Sequence, residues 1–227
     1  MQNDHIVDYH LKQYSEPYRS TVMFHDWLNQ RVSLDGQRIL DMACGAGANL
    51  NYFGVLHPQS KFTGIDYDLN TLSSAPSQED NVHLEQGDWF HLDSKYVNAF
   101  DGIISLQTLS WLSDYKVPLE NLCALHPKWI ALTSLFYEGK ITYWIRLDDE
   151  EENRTCYYNV YSLPKIKELF ARHGYTHFEY QPFMIDIDIP KTDTYRMKTY
   201  TERTIDGDRL QISGALLMPW YFILASI

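Results

Sequence analysis

The chain has 227 residues, 44% hydrophobic and 22% charged, which excludes a mostly disordered or fibrous protein and leaves enough length to bury a core without disulfides or metals. Nineteen lysines and arginines against 30 acids give a net charge of −11, which argues against a nucleic-acid partner, since phosphate binding needs a basic footprint. Cys44, Cys123 and Cys156 are dispersed and odd in number, which fits a reducing, cytoplasmic setting better than a disulfide framework.

The first ten residues lack a basic stretch followed by an apolar run, so no secretory signal is expected. No segment approaches the roughly 20 apolar residues of a membrane span, so no membrane partner is expected either. From about Pro17 the chain reads as helix, with Val22, Phe24, Trp27 and Leu28 at near-helical spacing. Short apolar runs at 38–43, 61–66, 81–86, 100–107 and 128–136 then alternate with helical stretches beginning near Asn49, Asp68 and Leu119. That alternation predicts an α/β fold, with a parallel sheet and helices on both faces. In the second half, 148–152 is a run of five acids, expected as a solvated loop, and 163–174 reads as a helix with Pro near its start and Gly past its end. Residues 177–189 and 220–227 read as strands. Between them Asp206-Gly207 is a signal for a hairpin with a two-residue turn.

Most of the chemistry is concentrated in Ile39-Leu-Asp-Met-Ala-Cys-Gly-Ala-Gly-Ala-Asn49. Glycines at the first strand-to-helix turn allow a ligand to approach the C-terminal edge of an open sheet. The dinucleotide pattern Gly-x-Gly-x-x-Gly is not completed after Gly45 and Gly47. Asp41, just before the turn, is poorly placed for a pyrophosphate and suits a cationic ligand. Asp66 ends the second strand, where an acid can accept from ribose hydroxyls. Asp88 and Trp89 follow the third, an acid that can accept from an exocyclic amine with a ring beside it. The fourth ends in Gln107-Thr-Leu-Ser-Trp111.

With these four ordered motifs, LDMACGAG, GIDYD, GDW and FDGIISLQTLSW, the chain resembles a class I S-adenosylmethionine (SAM)-dependent methyltransferase over Leu40–Phe136. The resemblance implies a seven-stranded Rossmann-like sheet with an antiparallel last strand, the final two strands being 177–189 and 220–227. It implies one domain over 1–227, with an N-terminal helical lid at 1–35, a SAM-binding half at 36–136, and an acceptor-side half at 137–227 carrying a β-hairpin insertion near 195–214. It also implies that Asp41, Gly45 and Gly47 shape the methionine side of the cofactor site, with Ala43 where many members have glycine. Asp66, with Tyr67 next to it, would hold the ribose, Asp88 and Trp89 would bracket the adenine, and Gln107 would lie beside the methionine.

Methyl transfer from a sulfonium needs alignment more than it needs an obligatory catalytic group, and positioning alone supplies on the order of 7–11 kcal/mol. Tyr14, Tyr18 and Arg19 lead into the first helix, and Arg19 is a candidate clamp for the cofactor's carboxylate. Trp111 is a candidate wall of the acceptor pocket. Tyr137 and Glu138 follow the fifth strand, Glu138 as a candidate base; His10, His25 and His91 are weaker ones, and no metal is called for. Asp186 and Asp188 alternate with Ile185, Ile187 and Ile189, as a half-buried strand would. Arg203 and Arg209, with Tyr195, Arg196 and Tyr200, make the insertion basic and aromatic, a surface for a sugar or anionic acceptor, or else a sheet-edge cover or dimer contact whose arginines are offset by Glu202, Asp206 and Asp208. The function expected is methylation of a small molecule, with oxygen favoured over nitrogen; a SAM-binding sensor or scaffold is the alternative. The oligomeric state is left open.

Overall fold

The computed structural model describes residues 12–150, 153–192 and 198–227. The five apolar runs of the first half form β1 (Arg38–Met42), β2 (Lys61–Asp66), β3 (Val82–Gln86), β4 (Gly102–Leu106) and β5 (Trp129–Tyr137). They pair in parallel in the order β3-β2-β1-β4-β5. After two short ladder strands, β6 (Arg146–Asp149) and β7 (Arg154–Tyr157), the two-residue β8 (Tyr161–Ser162) pairs with the end of β5. The large sheet is completed by β9 (His177–Pro182) and β13 (Trp220–Ser226), with β13 antiparallel between β5 and β9. Between those two lie β10 (Thr199–Arg203), β11 (Arg209–Ser213) and β12 (Leu216–Leu217), a separate three-stranded antiparallel sheet. This is the Rossmann-like methyltransferase topology, with one short strand added.

Both faces of the sheet are covered. Ile39 and Leu40, adjacent on β1, enter opposite apolar clusters, as period-two alternation requires. On one face α1 (Arg19–Asn29) and α2 (Ala48–Leu56) bring Phe24, Trp27, Leu28, Leu50 and Phe53. On the other, α4 (Lys116–Ala124) and α5 (Leu163–Arg172) bring Leu119, Leu122, Ile166, Leu169 and Phe170. The short α3 (Leu69–Ser73) follows β2 and is capped by the Asp68 side chain. In α5 the Ser162 hydroxyl accepts from Lys165 N–H with Pro164 in the first turn, the start signal visible in the sequence. At the edge remote from the β1–β5 loops, Asp101 binds Arg38 and Lys128, which lowers its pKa to about 2, chiefly through the Arg38 hydrogen bond. No described helix is long and apolar enough to cross a membrane.

Three expectations need correction. The strand expected over 177–189 stops at Pro182, and 183–190 is irregular, because β13 begins at Trp220, whose carbonyl accepts from Phe183 N–H, and offers no partner beyond it. Asp148 and Asp149 of the acidic run lie on β6 opposite Thr155 and Arg154, where Arg146 and Thr155 bind Asp148. The hairpin turn is one residue longer than a two-residue turn. Thr204 N–H donates to Asp208 O, and Gly207, with φ of +88°, sits in the turn. The ladder places Arg203 opposite Arg209.

Candidate functional site

A cavity of about 1310 Å³ opens where the strands β1 to β4 end. Its first wall is built largely from backbone. After Met42 the chain doubles back: Ala43 N–H and Cys44 N–H both donate to Ile65 O on β2, at 2.7 and 3.1 Å, and Gly45 N–H donates to the Asp66 carboxylate at 2.8 Å. The reversal puts Ala43, Gly45 and Gly47 at φ of 62°, 58° and 86°. Glycine occupies that region freely, while alanine is strained there by roughly 1 kcal/mol. Tyr14 holds the loop from behind, its hydroxyl donating to Ala46 O and accepting from Gln78 Nε2.

Asp66 is 9% exposed. Its oxygens accept from Gly45 N–H and, at 3.0 Å, from Asp68 N–H, leaving lone pairs for further donors. Ala43, Gly45, Asp66, Tyr67, Asp88, Trp89 and Gln107 all line the cavity. Asp88 is exposed and accepts from Phe90 N–H at 2.9 Å, with His91 Nδ1 at 2.8 Å; the His91 and Phe90 hydrogen bonds hold its carboxyl below the usual range. Trp89 is 4% exposed and its indole N–H donates to Pro118 O, so it is a packed side chain with one edge at the cavity. Gln107, at φ of 61°, is fixed by its N–H donating to Thr133 O. A carboxyl group with spare acceptor capacity, next to a glycine loop and an aromatic edge, fits a nucleoside carrying adjacent hydroxyls.

Two expected members of this wall stand behind it. Asp41 is 1% exposed, does not line the cavity, and neither oxygen has a hydrogen-bond partner among the described residues. Burial, reinforced by the Asp66 charge, pushes its carboxyl well above the usual range, biasing it to the neutral form. It lies two residues from Ile39 on β1 and so shares that residue's face of the sheet, whereas Met42 lines the cavity. Gly47 faces β3: a Cβ there would lie 2.9 Å from the Leu84 methyls.

The opposite wall is made of side chains from distant parts of the sequence. Tyr18, Arg19 and Thr21 contribute from the start of α1, and the Thr21 hydroxyl donates to Asn49 Oδ1. Trp111 lines the cavity against Tyr158, ring centroids 4.5 Å apart. Phe183 stacks on Phe222 at 4.0 Å. Beyond it Ile185, Ile187 and Ile189 face the cavity, while Asp186 and Asp188 bind arginines. Arg19 makes a two-pronged pair with Asp186, Nε to Oδ1 at 2.7 Å. Asp188 receives Arg203 Nη2 at 2.8 and 2.9 Å and Arg209 Nε at 2.7 Å. The alternation in 185–189 is therefore real even though the segment is not a strand.

These contacts correct several assignments. Arg19 touches the cavity, but its guanidinium is committed to Asp186 rather than held ready for a cofactor carboxylate. Arg203 and Arg209 do not line the cavity; they fasten the hairpin to the isoleucine segment, so the argument for an anionic or sugar acceptor loses its residues. Tyr14 serves the glycine loop and not the acceptor. Tyr137 and Glu138 also lie outside the cavity. Tyr137 packs against Tyr143, and Glu138 accepts from the Tyr221 hydroxyl. The reason is strand length: Gln107, just past β4, meets β5 at Thr133, and β5 runs on four residues to Tyr137. His25 is buried against His57, Nε2 to Nε2 at 2.9 Å, and does not reach the cavity; His91 pairs with Asp88. His10, Tyr195 and Arg196 lie outside the described residues. Thr133, Gln211 and the three isoleucines are cavity residues that were not assigned from sequence; only the Ile/Asp alternation carried a signal.

A family model described as a methyltransferase domain matches residues 33–174, from just before β1 to just past α5. No curated protein matches the sequence. Among solved structures, the chain is similar to one from the Haloferax volcanii complex between the Trm112 methyltransferase activator and a methyltransferase. That likeness has 14% identity, covers 99% of this chain and 95% of that one, and has a TM-score of 0.66. It is also similar to an S-adenosylmethionine-dependent methyltransferase from Mesorhizobium loti, at 13% identity, 93% and 99% coverage and a TM-score of 0.58. A third is the magnesium protoporphyrin IX methyltransferase from Synechocystis with bound SAH, at 12% identity, 92% and 83% coverage and 0.55. At such identities the structures speak for the fold alone, whereas the family model spans well over half of the sequence, including every loop of the first wall. The chain belongs to the methyltransferase-domain family and is a SAM-dependent methyltransferase by that membership, class I by its fold.

Proposed function

We propose that this enzyme methylates a small, largely apolar molecule on an acidic hydroxyl such as a phenol. The observation that carries the reading is one cavity running from the glycine loop to the isoleucine wall. At about 1310 Å³ it exceeds the roughly 300–1,000 Å³ of a site for one drug-sized ligand, which suits a cofactor and an acceptor together.

When bound, SAM supplies a methyl group already activated on a sulfonium. On this reading Asp66 accepts from the ribose hydroxyls, Tyr67, Asp88 and Trp89 flank the base, and Ala43, Gly45 and Gln107 border the methionine end. The acceptor lies against Trp111, Tyr158 and Ile185, Ile187 and Ile189. These residues hold the acceptor in line and exclude water, which is where most of the rate comes from.

The placement of charge selects the acceptor chemistry. Asp66, Asp68 and Asp88 belong to the ends of β2 and β3, while Thr133 lies on β5, three strand spacings or roughly 14 Å from β2. Neither a histidine nor a carboxylate joins the isoleucine wall on the cavity side among the described residues. Tyr158 has its hydroxyl pushed up to about 12 by burial, so it stays neutral near pH 7. An acceptor hydroxyl must then ionise by itself, which a phenol near pKa 10 does far more readily than an aliphatic alcohol.

Labelled methyl transfer from SAM to a panel of phenols, aliphatic alcohols, amines, peptides and RNA tests this. Phenols should be the best acceptors. Preference for amines would overturn the oxygen assignment, and transfer confined to peptides or RNA would overturn the small-molecule assignment.

A further inference from the structure

Gln211 and Ser213 stand two residues apart on β11, so they share a face, and both line the cavity at 2% exposure. Ser213 is engaged with the Tyr158 hydroxyl. Gln211 Oε1 has no hydrogen-bond partner among the described residues. A buried carbonyl left without a donor costs about 1–3 kcal/mol, and native proteins satisfy about nine in ten or more such groups. Thr133 Oγ1, also unpartnered on β5, can donate or accept; an amide oxygen can only accept. What completes Gln211 must therefore carry a hydrogen on nitrogen or oxygen.

The surroundings narrow the choice further. The three isoleucines, Trp111 and Phe183 make this part of the cavity mostly apolar, and Arg154 and Lys198, which also line the cavity, are cations. The two carboxylates of the isoleucine segment are committed to Arg19, Arg203 and Arg209, so they supply no free countercharge for an ammonium group. A neutral donor on an apolar body is the complement.

We propose that Gln211 Oε1 accepts a hydrogen bond from a second hydroxyl or N–H on the methyl acceptor and so determines which acceptors are taken. This rests on the small-molecule reading and adds to it the substrate class: an apolar, ring-like molecule with one donor besides the group that is methylated.

The test measures kcat/KM for methyl transfer from SAM to matched probes, hydroquinone and resorcinol each beside its monomethyl ether, whose single hydroxyl must occupy the transfer position, together with binding of the diphenols to the SAH-loaded enzyme. The wild type should methylate each diphenol with a kcat/KM per hydroxyl at least about fivefold above that of its ether, the lower end of the cost of an unpaired buried group. Gln211→Leu should close that gap to within about twofold, and Gln211→Glu, which keeps a carbonyl oxygen as acceptor in either protonation state, should preserve it. An equal gap in wild type and Gln211→Leu, loss of the gap in Gln211→Glu, or no gap in the wild type overturns the assignment; the wild-type comparison decides even if the leucine variant does not fold. If the phenols are bound and methylated without regard to the second hydroxyl, the small-molecule reading stands and Gln211 falls. If SAH binds and no phenol does, both fail.

Discussion

The wall of the cavity that follows β1 to β4 and the wall that follows β9 are built by opposite means. In the first, Ala43, Cys44 and Gly45 donate backbone hydrogens to Ile65 and Asp66, and one side chain, Asp66, organises the turn. In the second, side chains 21 and 167 residues apart in sequence are joined, Arg209 and Arg19 on Asp188 and Asp186, and the backbone between is irregular. A wall made of backbone needs glycines and strand-end acids at fixed places, and those can be read directly. A wall clasped by exposed ion pairs can draw its partners from anywhere in the chain.

The largest effect should come from removing the organiser of the first wall. Asp66→Ala deletes the partner of Gly45 N–H and Asp68 N–H together with the proposed ribose acceptor. Hydrogen bonds to charged groups are worth about 1.5–3 kcal/mol each, so SAM affinity should fall roughly 10- to 150-fold by calorimetry for the loss of one such bond. Affinity within a few-fold of wild type, in a folded variant, would break the contrast between the two walls.

Next is the clasp. Asp188→Asn leaves Arg203 and Arg209 opposed on neighbouring strands without their shared carboxylate, an unfavourable arrangement. Acceptor KM should rise several-fold while SAM affinity stays within about twofold, a modest change because exposed ion pairs are individually weak. Equal losses for both ligands would show that the walls are not separable.

Acid should distinguish them as well. Asp186 is held below the usual carboxylate range chiefly by its Arg19 hydrogen bond, and Asp188 by those of Arg203 and Arg209. A carboxyl whose folded-state pKa is depressed contributes stability that is complete above its unfolded value, near 3.9, and is lost as pH falls through the depressed one. Hydrogen exchange corrected for its intrinsic pH dependence should show β10 and β11 losing protection below about pH 4, before β1 and β2. Simultaneous loss would refute an independent clasp.

The smallest effects are expected at the end of β5. Glu138→Gln and Tyr137→Phe should each leave kcat/KM within about twofold, because both residues lie outside the cavity. A thousandfold loss would restore Glu138 as a base.

What could be read from sequence follows this division. The succession of strands and helices, both helical layers and the residues of the first wall from Ala43 to Gln107 were legible, because period, glycine placement and strand-end acids are local signals. Asp41 lies outside the cavity lining because its one-residue offset from Met42 on a strand turns it to the other face, and a motif does not show facing. Tyr137 and Glu138 were misplaced because β5 outruns β4, and relative strand length is a property of pairing. Arg203 and Arg209 suggested an anion because their acids lie across a fold the sequence does not reveal.

The irregular stretch at 185–189 has a consequence for how the enzyme acquires new acceptors. Its odd positions face the cavity and its even positions hold the hairpin and α1. Variation at 185, 187 and 189 can therefore reshape selectivity while the structural residues remain untouched, so a lineage could drift between acceptors by single replacements. A one-residue insertion or deletion would do the reverse, turning carboxylates into the cavity and isoleucines into water. Libraries directed at this segment should accordingly be rich in active substitutions and nearly empty of active length variants.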